Sequence, residues 1–96
     1  MPRFYVEVPH EEDKVSCLKA IKVLMETGSH FLTRAEYGCL DGDHTARIIV
    51  ELDSKEEAMA MVPRAYRANS KVVRLSTFEL EKVNRALEIH GGATEE

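Results

Sequence analysis

The sequence predicts a single α+β domain of ferredoxin-like plan, β-α-β-β-α-β, with one further helix at the C-terminus. Three observations carry this. Short β-type runs read as strands at residues 4–8, 30–39, 45–52 and 71–75. Stretches of helical spacing, opened by acidic or capping residues, lie between and after them. The dipeptide Asp41-Gly42 joins two strands directly, a strong short hairpin signal. Ninety-six residues allow one domain and one modest core. Right-handed crossovers place two helices on one face of a four-stranded antiparallel sheet. On this reading the domain spans 1–92, and Ala93 to Glu96 form a frayed tail.

Each element has a local reason. In Phe4 to Val8, Phe4, Val6 and Val8 point to one side and Tyr5 and Glu7 to the other, and Pro9 ends the strand. Glu11, Glu12 and Asp13 then suit the positive end of a helix dipole. Cys17, Leu18, Ile21, Leu24 and Met25 form that helix's expected apolar stripe, and Gly28 its stop. Val15 and Val23 fall off the stripe, at its edge or against a second subunit. His30 to Cys39 and Thr45 to Leu52 make the hairpin. Counting out from its turn puts Phe31 to Tyr37 on the face of Ala46 to Leu52, and Arg34, Glu36, Arg47 and Glu51 on the other. Ser54 with Glu57 is a capping box, followed by apolar Ala58, Met61 and Val62 and a stop at Pro63. Lys71 to Leu75 is the last strand. Ser76 with Glu79 reads as a second capping box before Phe78, Leu80, Val83 and Leu87, with Gly91-Gly92 as terminator.

Composition excludes several classes. Hydrophobic residues make up 44% and charged residues 31%, which is a globular mixture and not a disordered one. No apolar run reaches the ~20 residues of a membrane span, and the first residues read as a strand and not a signal peptide. Two cysteines cannot form a disulfide scaffold, and a cytoplasmic setting is expected. A net charge of −4 argues against nonspecific nucleic-acid binding. Residues 58–78 nevertheless lack acidic groups while holding Arg64, Arg67, Lys71 and Arg74. That stretch is a solvated connection or an anion-attracting patch.

The sheet face left bare by the helices should decide the function. Its expected members are Tyr5, Glu7, Arg34, Glu36, Arg47, Ile49, Glu51 and Arg74, with Leu32 and Val72 among them. Either it meets water or something lies over it: the terminal helix or a second sheet. The architecture, the length and the stretch from Val50 to Ala58, followed by a helix stopped at Pro63 and a closing strand, resemble the dimeric α+β barrel superfamily. Muconolactone isomerase-like proteins are the nearest small members, and small uncharacterised bacterial proteins look similar. The resemblance implies a homodimer whose two sheets enclose a cavity lined by such polar groups. No catalytic residue of that superfamily can be matched here.

Within such a cavity Glu36, Glu7 and His30 are the candidates for proton transfer. Tyr5, Arg34, Arg47 and Arg74 are candidates for holding a small anionic molecule. The plain alternative is an exposed cross-strand ion pair, Glu36 with Arg47, of little energetic weight. His10, His30 and His44 lie at strand or turn ends. Cys39 and His44 bracket the hairpin around Asp41 and Asp43, but no paired zinc-ligand spacing occurs, so no metal and no cofactor are expected. Cys17 reads as a buried small hydrophobe, outside any C-x-x-C motif. The RNA-recognition signature and a glycine-rich phosphate loop are both missing. Two functions therefore stand: a small-molecule protein with an anionic ligand and isomerase-type proton transfer, and a non-catalytic interaction or regulatory module.

Overall fold

The structure is a computed structural model describing residues 1–26 and 30–91. The expected helix stop at Gly28, the terminator Gly92 and the tail 93–96 lie outside the described residues. Four strands, β1 (Arg3–Pro9), β2 (Glu36–Gly38), β3 (Asp43–Glu51) and β4 (Lys71–Leu75), form one antiparallel sheet in the order β2-β3-β1-β4. Among the described residues three α-helices, α1 (Lys14–Glu26), α2 (Lys55–Ala60) and α3 (Leu80–His90), accompany it. None of them is long and apolar enough to cross a membrane.

Strand alternation builds the core. Phe4, Val6 and Val8 of β1 are buried, and they cluster with Val50, Ala46 and Val72 from the flanking strands. Leu24 of α1 and Ala58 of α2 join the same cluster, together with Met61 and Val62. The α2 cap forms as the sequence predicts. The Glu57 backbone N–H donates to Ser54 Oγ at 3.1 Å, while Glu57 Oε1 accepts from the backbone of Asp53, one residue before the cap, also at 3.1 Å. The α1 cap is Asp13, whose carboxylate accepts from the backbone N–H of Ser16 at 2.9 Å and from its hydroxyl at 2.8 Å. Arg67 has a structural post: its Nε donates to the Val62 carbonyl at 2.7 Å and an Nη to that of Ala60 at 3.2 Å, satisfying acceptors left over past α2.

Four expectations are corrected. The run from His30 to Cys39 is not one strand: His30–Arg34 is a 3-10 turn and only Glu36–Gly38 pairs. The helix α1 buries Cys17, Ala20 and Leu24, while Leu18 and Met25 are half exposed. Its contact stripe is narrower than expected and runs through Cys17, Ala20 and Leu24. The phase of β4 is also opposite to expectation. Arg74 pairs with Phe4, and Val72 pairs with Val6, so both belong to the helix-covered face, where Val72 is buried. Finally, Ser76 does not open α3. Its N-cap is Glu79, without a side-chain capping bond.

Every described residue of α3 is exposed, including Leu80, Val83 and Leu87, and Phe78 just before it is 82% exposed. The described residues of the chain therefore leave the second sheet face bare. Across it runs one apolar row, Ile49–Tyr5–Val73, set by the pairing of Tyr5 with both neighbours.

Candidate functional site

The first candidate region is this bare face. Tyr5, Arg34, Glu36 and Arg47 line one open groove with Ile48 and Ile49. Glu36 and Arg47 are register partners, and so are Glu7 and Arg47. The expected Glu36–Arg47 ion pair gives way to another: the Arg47 guanidinium bridges to Asp43 four residues back and also donates to the Thr45 carbonyl at 3.4 Å. The Tyr5 hydroxyl donates to Glu7 Oε1 at 2.9 Å. Burial, and then this carboxylate, push the Tyr5 phenol above its ordinary value. Of the other sequence candidates, His30 lies outside the groove lining, stacked on Phe31 with ring centroids 4.6 Å apart. Glu7, bonded to Tyr5, and Arg74, turned away by its strand phase, are also absent from that lining.

The second region is one that sequence reasoning left in pieces. His10, Cys17, Cys39 and His44 present four ligand atoms that all lie within 4.8 Å of one another. Their placement follows from the fold. Pro9 pairs with Thr45, and the His10 backbone N–H donates to the His44 carbonyl at 3.0 Å, which locks the end of β1 to the start of β3. Asp13 fixes the first turn of α1, and the Cys17 N–H donates to the Asp13 carbonyl at 2.8 Å. Cys39 opens a 3-10 turn that Gly42 closes in the left-handed region at φ 87°, returning the chain to His44. Gly38 cannot carry a side chain here, because a Cβ would stand 2.8 Å from the Asp43 carbonyl oxygen.

Side-chain geometry is close. His10 Nε2 is 3.3 Å from both Cys17 Sγ and Cys39 Sγ. The two sulfurs are 3.4 Å apart, and His44 Nδ1 is 3.2 Å from Cys17 Sγ. The imidazoles of His10 and His44 stand edge to face, with centroids 5.9 Å apart. Cys17 is buried, and the other three are half-buried. Burial, then the charge of His44, hold the His10 imidazole below its ordinary value, which favours the neutral form that ligates metals. The Val8 backbone lies beside that ring, yet no bond of good geometry reaches its buried Nδ1. Burial, and then Cys39, push the Cys17 thiol up.

Two sulfurs and two imidazole nitrogens match the donor set of a tetrahedral zinc-class site. Metal–sulfur bonds of ~2.3 Å and metal–nitrogen bonds of ~2.0–2.1 Å give tetrahedral edges of about 3.3–3.8 Å. The four contacts of 3.2–3.4 Å need a slight expansion to meet them, and the other two pairs, within 4.8 Å, an adjustment of about an ångström at most. Two thiolates also neutralise a divalent ion, so a half-buried site acquires no net charge. Comparison of the chain with protein-family models, curated proteins and solved structures found no match.

Proposed function

We propose that this protein is a metal-binding α+β domain in which His10, Cys17, Cys39 and His44 hold one thiophilic divalent ion of the zinc class. The observation that carries the reading is the convergence of four ligand atoms, from four separate segments, within 4.8 Å. Soft thiolates with imidazoles in tetrahedral array select zinc over the hard, oxygen-seeking cations. Four protein ligands fill the coordination sphere and leave no position for a substrate, so the ion acts as a structural clamp. It ties the end of β1, the first turn of α1 and both arms of the β2–β3 hairpin. Thiols kept free as ligands also fit a reducing, cytoplasmic compartment.

Titrating reduced, metal-free protein with cobalt(II) tests this. One equivalent should give the absorption of a tetrahedral thiolate site, and zinc should displace it. Replacing Cys39 or His44 with alanine should cost more than the ~10–100-fold in affinity that loss of an outer-shell partner costs. Uptake well below one equivalent, or unchanged uptake in the His44→Ala protein, would sink the reading.

A second reading concerns the bare sheet face. Its specific support is that Tyr5, Arg34, Glu36 and Arg47 line one groove. A small anionic molecule held there by the arginines, with Glu36 or Glu7 as the proton carrier, is compatible with the metal clamp at the far end of β1. The strand order β2-β3-β1-β4 supports the ferredoxin-like plan. The apolar row beside the groove and the uncovered stripe of α3 support a homodimer of the dimeric α+β barrel type.

A further inference from the structure

We infer that Cys17 and Cys39 form a modification site, at which a hydroperoxide converts the two thiols into one intramolecular disulfide and so releases the metal. The release rests on the metal reading above; the disulfide does not. Four observations point to it. The two sulfurs are 3.4 Å apart, so a bond of ~2.05 Å requires them to close by little more than an ångström. One of them, Cys39, sits on a hairpin turn that can supply this movement, and it is the more accessible of the pair. The other, Cys17, is 5% exposed, and its Sγ lies within 3.4 Å of ligand atoms of His10, Cys39 and His44. The chain holds only these two cysteines, so a single intramolecular pairing exists.

The chemistry balances in two steps. Cys39 Sγ attacks the terminal oxygen of the hydroperoxide and the O–O bond breaks. Sulfur loses two electrons to the peroxide, giving a sulfenic acid and one molecule of water or alcohol. Cys17 Sγ then attacks the sulfenic sulfur. The S–S bond forms, the S–O bond breaks, and the hydroxyl leaves as water, taking the Cys17 thiol proton in the metal-free chain and a solvent proton where Cys17 is a metal-bound thiolate. Both thiolate ligands are thereby consumed. Two imidazoles remain, too few to hold a zinc-class ion in a four-coordinate site. A dithiol reductant reverses the change by exchange and restores the ligand set.

The test treats zinc-loaded and metal-free protein in parallel with excess hydrogen peroxide. In both, intact mass should fall by two hydrogens and free thiols should drop from two per chain to none. From the loaded protein a chromogenic chelator should recover the full metal equivalent, and a dithiol should restore thiols and metal uptake. In Cys17→Ser protein, oxidation should add oxygen to Cys39 without loss of two hydrogens. Oxygen addition in place of the disulfide in the native chain, or disulfides only between chains, overturns the modification. A disulfide in the metal-free arm with metal and thiols retained in the loaded arm overturns the release and leaves the metal reading standing. If the protein takes up no zinc, the metal reading fails, and the metal-free arm still decides the disulfide.

Discussion

Metal-loaded protein is expected to melt about 15–30 °C above chelated protein when free zinc exceeds its dissociation constant about a thousandfold. The size follows from linkage. An ion that binds only the folded chain at that excess adds about 4 kcal/mol, and a domain of this length gains roughly 4–8 °C for each kcal/mol. The physical source of the gain is topological. The four ligands come from segments far apart in sequence, with Cys17 and Cys39 separated by 22 positions and His10 and Cys39 by 29. The unfolded chain does not hold them together, so little metal affinity is lost to that state. Differential scanning calorimetry with zinc and with a strong chelator measures the difference. The Cys17→Ser protein should show almost none of it. Equal melting temperatures for native protein in both buffers would remove the clamp.

The clamp also gives the hairpin a reason for its shape. The strand β2 pairs over only three residues, and its register shifts between Tyr37 and Gly38. Such a short edge strand gains little from ladder bonds alone. The Arg47–Asp43 bridge holds one side of the turn. A metal on Cys39 and His44 would hold the other and join the hairpin to α1, an element it does not pair with.

Much of the fold is legible in the sequence because burial enforces alternation. Phe4, Val6 and Val8 alternate with polar or amphipathic neighbours, and Ser54 with Glu57 announces a helix that forms where expected. Legibility fails where the pattern is degenerate. In β4 the adjacent Val72 and Val73 fit either phase, and only pairing to Val6 settles which is buried. In α1 apolar residues surround too much of the helix, and packing against the sheet selects Cys17, Ala20 and Leu24 from among them. Strand alternation placed Tyr5, Glu36, Arg47 and Ile49 on the groove; it assigned Ile48 to the other face, and Glu7, His30 and Arg74, also expected there, do not line it. The cluster of His10, Cys17, Cys39 and His44 was not, because its spacing matches no zinc motif. One signal was present. Antiparallel pairing of the first and third strands sets the end of one beside the start of the other, which brings His10 to His44. A cap at Asp13 then brings Cys17 within reach.

The second large effect lies in the core. Replacing Phe4 with alanine is expected to cost ~3–5 kcal/mol, the usual loss for a buried aromatic. Phe4 is 2% exposed on the central strand, paired with Val50 on one side and Arg74 on the other, so no edge is free to collapse into the space. A domain of ordinary stability holds only about 5–15 kcal/mol in total, so the variant stands near its unfolding limit. Phe4 lies near the start of β1, and His10 follows its last residue. Six residues of strand at ~3.3 Å each separate them by about 20 Å, beyond the ~7–10 Å within which mutational effects couple. The two effects should therefore add. Phe4→Ala protein should be folded in zinc and partly unfolded in chelator, and the zinc-dependent gain in stability should equal that of the native chain. Urea unfolding of both proteins in both buffers supplies the four values. A loss below about 1 kcal/mol would show that the site repacks, contrary to the core described. A smaller zinc gain in the variant would show that the core and the clamp are coupled along β1.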